Sequence, residues 1–180
     1  MITILVVDEA GDNAFVNALA EMLDRHFVTV RTNSQKLKTS GKSPDLLICD
    51  AQSFGEIETD QVIVVYKAQG AISTQIVSAA SAVAIVDSSS DALLAHVSKT
   101  RLPAITCGLN SRDTISLSSM TAPGAVIDLR RSITCLDESQ IEPQEIPMRL
   151  SSPVDSFLLM SLAAILILTG KVDHLKEGFI

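Results

Sequence analysis

The chain places short apolar runs, rich in β-branched residues, at intervals along its first 110 residues. The runs are "ITILVVDE" at 2–9, "VTVRT" at 28–32, "DLLICD" at 45–50, "VIVVYK" at 62–67, "AVAIVD" at 82–87 and "PAITCG" at 103–108. Such continuous runs are typical of strands that are covered on both faces. Helical spacing at 13–27 and 91–100 supplies crossovers between them. The sequence therefore predicts an α/β fold with a doubly wound, mostly parallel sheet of the three-layer P-loop or Rossmann-like kind.

The pattern changes after residue 113. From 114 to 150 the apolar residues alternate in part with a period of two, and turn signals stand at Pro123-Gly124 and around Asp137-Glu138. This pattern predicts a small antiparallel β meander near the C-terminus. The polar segment "SQKLKTSGKS" at 34–43 is predicted to be a loop or a weak helix.

A closing apolar helix is expected within 151–170, with Gly170 as its C-cap. Its apolar stretch, "SFLLMSLAAILILTG", has 15 residues, which at a rise of ~1.5 Å per residue span about 22 Å, short of the ~30 Å hydrocarbon core of a membrane. We therefore expect a core helix rather than a membrane span. Because its apolar residues surround the helix, it needs cover on both sides, from the meander or from a second subunit.

At 180 residues the chain has the length of one domain, 1–180. Its parts would be a parallel core at 1–113, the meander at 114–150 and the closing helix at 151–170. A net charge of −7 and an isoelectric point near 4.8 argue against nucleic acid as a partner. The cysteines Cys49, Cys107 and Cys135 are far apart and each lies in an apolar run, which predicts buried thiols in a reducing compartment. With no signal-peptide pattern at the N-terminus, we expect a cytoplasmic location.

The stretch "VVDEAGDNAF" at 6–15 has the strand, loop and helix layout of a phosphate-binding site. Such a loop needs glycines for close backbone approach, a Lys for the terminal phosphates and a Ser or Thr for magnesium. Only Gly11 meets this need, and Asn13 and Ala14 stand where Lys-Thr would be. The loop instead carries the acidic residues Asp8, Glu9 and Asp12, which repel a polyphosphate. The sequence therefore predicts that nucleoside triphosphates do not bind.

Acidic residues also end two further strands of the predicted sheet. Ligand sites of open α/β sheets lie beyond the carboxyl ends of the strands. We therefore expect one candidate ligand or metal crevice that gathers five side chains: Asp8, Glu9, Asp12, Asp50 and Asp87. No cofactor and no catalytic residue are predicted, and Mg²⁺ held by carboxylates is the alternative.

Much of the chain resembles the central, ATP-binding domain of Mur ligases, the amino-acid-adding enzymes of bacterial peptidoglycan synthesis. The resemblance rests on four segments: "ILVVDEAGDNAFVNALAEML", "PDLLICDAQSFGEIETDQVIVVYKA", "AVAIVDSSSDALLAHVSKTRLPAITCGLNSRDTISL" and "EIPMRLSSPVDSFLLMSLAAILILTG". In that family the first segment holds a Gly-rich Lys-Thr loop, and the second holds magnesium-binding acids followed by Thr-Asn and Asp-His. The last segment matches the family's final strand and its Asn-bearing helix.

Most of the family's signature residues are replaced. Besides Asn13 and Ala14, "YKAQGAIS" stands in place of the Thr-Asn to Asp-His stretch, and Val154-Asp155 in place of His-Asn. Of the catalytic acids, only Asp50 has a counterpart. The resemblance therefore implies a degenerate pseudoenzyme that binds or scaffolds a partner, either a protein or a second copy of the chain.

Two alternatives remain open. The first is a small metal- or nucleotide-binding enzyme that uses Asp8, Glu9 and Asp50. The second follows from a weaker resemblance to the receiver domain of response regulators, in which "VVDE" is similar to the paired acids and Asp50 to the phospho-acceptor.

Overall fold

The computed structural model describes residues 1–9, 13–33, 36–39, 43–50, 56–68, 75–121, 124–150 and 152–176. The chain folds as two compact units. The first comprises Met1–Val86 and Ala92–Ala104, and the second comprises Asp87–Asp91 and Ile105–Ile180. The predictions of one domain and of its internal boundaries stay predictions.

The first unit is built on parallel strands. Its elements are β1 (Ile2–Val7), α1 (Ala14–Leu23), β2 (Thr29–Asn33), β3 (Lys36–Thr39), β4 (Leu46–Asp50), β5 (Glu56–Tyr66), β6 (Gln75–Asp87) and α2 (Asp91–Ser98). The last residue of β6 and the first residue of α2 belong to the second unit. The strands lie in the order β6-β5-β1-β4-β2-β3, and every pair is parallel except β2 with β3. The mostly parallel, Rossmann-like α/β fold expected from the apolar runs is confirmed.

The core of this unit is aliphatic. Leu5 and Val7 of β1 pack with Val62 and Val64 of β5, and α2 contributes buried apolar side chains to the same cluster. The five residues from Thr3 to Val7, which end β1, are each exposed by 1% or less. Burial on both faces explains why β1 is a continuous apolar run instead of an alternating one.

Residues 36–39 form a strand, so the prediction of a loop or weak helix at 34–43 is wrong there. β3 pairs antiparallel with β2, from Val30 opposite Thr39 to Asn33 opposite Lys36. β3 lies at the edge of the strand order, where natural sheets accept polar and lysine-rich segments. The polar composition that favoured a loop is therefore also compatible with an edge strand.

β5 and β6 begin well before their apolar runs. Their pairing starts with Glu56 opposite Gln75 and shifts by a bulge between Thr59 and Gln61 before the apolar parts align. The added residues of β5, "EIETD", are mostly polar. Because their strand conformation comes from pairing with β6, apolar periodicity gave no signal for it.

The second unit contains the antiparallel meander. Its elements are β7 (Ala104–Cys107), whose first residue belongs to the first unit, β8 (Ile115–Thr121), β9 (Gly124–Leu129), β10 (Ile133–Thr134), β11 (Gln140–Ile141), β12 (Gln144–Arg149), α3 (Ser156–Leu168) and a 3-10 helix (Val172–Leu175). β9 pairs antiparallel with both β8 and β12, whereas β7 pairs parallel with β8. β10 and β11 form a separate two-stranded sheet. The predicted meander is confirmed.

The closing helix α3 is a core helix. It packs against β8, β10 and the 3-10 helix, every residue in Phe157–Leu168 is buried, and both Leu162 and Ile165 are 0% exposed. Within the described residues, no helix is both long enough and apolar enough to cross a membrane.

Both ends of α3 are capped. The Asp155 carboxylate accepts a hydrogen bond from the Leu158 N–H at 2.9 Å, which is an N-cap. At the other end the N–H of Gly170 donates to Ile167 O at 3.0 Å and the N–H of Lys171 donates to Leu166 O at 2.7 Å. Gly170 has a φ of +71°. This is a Schellman motif in which Thr169 is the C-cap and Gly170 is the glycine directly after it. The predicted C-cap is therefore wrong by one residue, but the helix ends beside the predicted glycine.

Candidate functional site

Asp8, Glu9 and Asp50 lie at the carboxyl ends of neighbouring parallel strands. β1 and β4 are aligned with Val6 opposite Asp50, and Asp8 follows Val6 by two residues. Asp8 is buried at 7% exposure, whereas Glu9 is exposed and Asp50 half-buried. The strand register therefore brings three of the five predicted crevice residues to one edge of the sheet.

The Asp8 carboxylate is engaged with the chain that follows it. Its Oδ1 accepts a hydrogen bond from the backbone N–H of Glu9 at 2.8 Å. In a phosphate-binding loop, backbone N–H groups at this position point at the anion. In this chain the Asp8 carboxylate, instead of a bound anion, accepts the hydrogen bond from the N–H of Glu9.

The first turn of α1 has a lysine close by. Lys67, directly after β5, has its Nζ 5.1 Å from the centre of the Phe15 ring, a cation–π distance. Its backbone N–H donates to Val7 O at 2.9 Å, which places it beside the end of β1. Asn13 precedes α1 and makes no side-chain capping hydrogen bond. A cation is therefore present near the loop, but it comes from β5 and lies over an aromatic face.

The remaining two crevice residues do not belong to the described part of the first unit. Asp12 lies outside the described residues, and Asp87 belongs to the second unit. Across the ranges that the structure describes, no three His, Cys, Asp or Glu side chains lie close enough to hold a metal ion. The five-residue crevice stays a prediction.

The second unit has a compact polar group that was not predicted as a site. Ser88 donates its N–H to Cys107 O at 2.9 Å, and its buried Oγ has no hydrogen-bond partner among the described residues. Asp113 is 3% exposed. A Cβ atom on Gly108 would overlap the Ser88 Oγ and lie 2.8 Å from Asp113 Oδ2. The signal in the sequence is Gly108, directly after β7, followed five residues later by Asp113.

All three cysteine thiols are buried. Burial, and secondarily the charge of Asp50, raises the pKa of Cys49 to about 12. Burial also raises the pKa of Cys107, with smaller contributions from Asp113 and Asp87. Cys135 donates its Sγ hydrogen to Ile167 O at 3.1 Å. The prediction of buried thiols is confirmed, because all three sulfur atoms belong to buried residues.

No protein-family model matches the chain, and no curated protein sequence matches it. Several solved structures are similar to the chain. A UDP-N-acetylmuramoylalanyl-D-glutamyl-2,6-diaminopimelate–D-alanyl-D-alanyl ligase from Acinetobacter baumannii is similar with a TM-score of 0.60 at 10% identity, over 99% of this chain and 46% of that one. A murein peptide ligase from Psychrobacter arcticus has a TM-score of 0.59 at 7% identity, over 97% of this chain and 46% of its own.

This chain has a Mur ligase-like fold. The resemblance inferred from the four sequence segments is confirmed at the level of the fold. The chain spans less than half the length of these ligases, and at such low identity the likeness shows the fold alone.

A third solved structure with the Mur ligase-like fold is a MurF ligase from Thermotoga maritima in complex with ADP, with a TM-score of 0.52 at 11% identity, over 92% of this chain and 44% of that one. The sequence from Asp8 to Asn13 differs from that of a phosphate-binding loop, which uses a Lys for the phosphates and a Ser or Thr for magnesium. The loop after β1 has no Lys, Ser or Thr, and the Asp8 carboxylate already accepts the Glu9 N–H.

Proposed function

We propose that this chain is a Mur ligase-like domain that does not carry out ATP-dependent ligation and that acts as a binding or scaffold protein. The observation that carries the proposal is the hydrogen bond from the Glu9 N–H to the buried Asp8 carboxylate. It supports the loss of nucleotide binding because a fixed anion takes the backbone donor that a phosphate would need.

The electrostatics point the same way. Two like unit charges 4 Å apart repel by about 4 kcal/mol at an effective dielectric constant of 20. Asp8 and Glu9 would face a polyphosphate with no cation of the loop itself to offset them. Lys67 is the nearby cation, and its ammonium lies over the Phe15 ring.

Calorimetric titration with Mg-ATP tests the loss of nucleotide binding. We expect no binding by the unmodified protein. The variant Asn13→Lys with Ala14→Thr should also fail to bind ATP tightly while Asp8, Glu9 and Asp12 remain. Adding Asp8→Asn to that variant should give the largest increase in affinity for ATP. Micromolar binding of ATP by the unmodified protein would refute the proposal.

The alternative with a specific observation behind it is a cation site between β1 and β4. The register of Val6 with Asp50 supports it, since it brings carboxylates of adjacent strands to one edge. Thermal melting with magnesium alone and with magnesium plus beryllofluoride separates the cases. Stabilisation by magnesium alone indicates the metal site, and further stabilisation by beryllofluoride indicates the receiver-like alternative. Our proposal expects neither.

We assign the binding role to a protein partner instead of a second copy. A homodimer would be favoured if α3 left apolar surface uncovered. Phe157–Leu168 are buried within one copy of the chain, so α3 supplies no such surface. Sedimentation velocity should show a monomer, and a concentration-dependent dimer would contradict this assignment.

A further inference from the structure

The loop between β7 and β8 presents an apolar side chain to solvent. Leu109 is 75% exposed and follows the buried Gly108 directly. Among the described residues, the other exposed large hydrophobic side chains are Met1 and Met120. A single exposed leucine is ordinary on a protein surface, so its significance depends on the order of its loop and on the charged side chains near it.

The loop that carries Leu109 is held by hydrogen bonds at its next residue, Asn110. The Asn110 N–H donates to Asp113 Oδ2 at 2.7 Å, and the Asp113 N–H donates back to Asn110 O at 3.1 Å. Arg130 Nη1 donates to the same carbonyl oxygen at 2.6 Å. Binding through a loop that is already ordered loses less conformational entropy than binding through a loop that must be fixed.

Arginines belong to this loop and to the segment that is hydrogen-bonded to it. Arg112 belongs to the loop itself. The Arg130 N–H donates to Thr114 O at 2.9 Å, and Arg131 is the next residue along the chain. Arg130 is paired with Asp128 at 2.7 Å. Arg112 and Arg131 are exposed, and neither has an ion pair within the described segments.

We propose that Leu109, Arg112 and Arg131 form a docking surface, the Leu109 surface, for an acidic protein segment that carries an apolar side chain. The inference rests on the proposed binding function and names its partner class. Arg112 and Arg131 are in no ion pair with any described residue. On a chain of net charge −7 they are a local exception that complements carboxylates, and Arg is enriched at the energetic centres of interfaces. Leu109 supplies the apolar contact. The overall negative charge disfavours a nucleic-acid backbone, which offers no apolar group to Leu109.

Fluorescence anisotropy with a labelled peptide of alternating Glu and Leu tests the surface. The matched probes are a peptide of alternating Lys and Leu and a single-stranded oligonucleotide of similar length. Of the three probes, we expect only the Glu/Leu peptide to bind. Salt should weaken its binding because the contact includes exposed charges. Leu109→Ser and Arg112→Glu should each weaken that binding by about tenfold or more.

Two control variants make the same chemical changes elsewhere in this unit. Met120→Ser removes another exposed apolar side chain, and Arg149→Glu reverses another exposed arginine. Met120 lies opposite Ala125 and Arg149 opposite Gly124, at the far end of the β8, β9 and β12 ladder from Ile115 and Leu129. Both controls should bind the Glu/Leu peptide as the unmodified protein does.

All four altered side chains are exposed, so the variants should fold, and equal melting temperatures verify it. Equal loss in Arg149→Glu and Arg112→Glu would overturn the proposal in favour of non-specific attraction. Binding of the oligonucleotide in preference to the peptide would overturn it in favour of nucleic acid. Self-association lost in Leu109→Ser would overturn it in favour of a second copy. The ATP titration is independent of these results, so failure of the docking surface and failure of the proposed function can be told apart.

Discussion

Gly108 and Ser88 are packed so closely that a Cβ atom on the glycine would overlap the Ser88 Oγ. The contact joins the end of β7 to the residue after β6. It also explains why the position needs glycine although its φ is not in the left-handed region, since what excludes a side chain here is lack of space.

Gly108→Ala should therefore destabilise the protein. Overpacking of a closed site costs about 1 to 3 kcal/mol. The free energy of unfolding, from urea denaturation, measures the loss. Ser88→Ala removes the overlapping oxygen, which is buried without a hydrogen-bond partner among the described residues, so that single change should be close to neutral. The double variant should lose less than the sum of the two, and strict additivity would contradict the contact.

Leu162→Ala should lower the free energy of unfolding by roughly 2 to 5 kcal/mol, through lost transfer energy and the cavity left behind. The reason is that Leu162 is 0% exposed in the middle of α3. Met120→Ala is the control, because Met120 is 41% exposed and should change stability by about 0.5 kcal/mol or less. Equal small losses in both variants would show that α3 is not packed as described.

Gly170→Ala should cost about 1 kcal/mol, because alanine at a φ of +71° is strained by its Cβ atom. Glu138 offers the reciprocal change, since it is a non-glycine residue at a φ of +69°. Glu138→Gly relieves that strain and adds chain entropy to the unfolded state, so it should be nearly neutral. Chemical denaturation measures both, and a stabilising Gly170→Ala would rule out the Schellman motif.

Stability should fall at alkaline pH. Burial raises the pKa of Tyr66 from 10.0 to about 12, and burial with the charge of Asp50 raises that of Cys49 from 9.0 to about 12. The unfolded chain loses these protons first, so their contribution is complete below pH 9 and is lost as the pH rises towards about 12. Denaturation at pH 8 and pH 10.5 measures it.

Tyr66→Phe is the matched variant for this pH dependence. It should reduce the alkaline loss because it removes one titrating group. It should also be neutral or stabilising at pH 7, since Tyr66 Oη is buried without a hydrogen-bond partner among the described residues. An unchanged alkaline loss in this variant would contradict the contribution of Tyr66.

The sequence was informative about the candidate site where a single residue decides the chemistry. The absence of Lys and Thr at the start of α1 follows from Asn13 and Ala14 alone. The sequence could not show that the Asp8 carboxylate takes the Glu9 N–H, because that depends on the side-chain conformation of a buried aspartate. Nor could it show that Ser88, Gly108 and Asp113 meet, because they are separated along the chain by as many as 25 residues, from 88 to 113.

The sequence by itself determined the α/β alternation, the parallel strands, the meander and the core position of α3, because each is written in local apolar periodicity and in caps such as Gly170. Tertiary structure alone decided that 36–39 is a strand, that β5 begins at Glu56 and that Leu109 is held exposed on an ordered loop. Those features arise from hydrogen bonds between segments: β2 with β3, β6 with the polar half of β5, and Asp113 and Arg130 with the loop at Asn110. Such hydrogen bonds satisfy backbone groups whatever the apolar pattern of the side chains, so apolar periodicity does not record them.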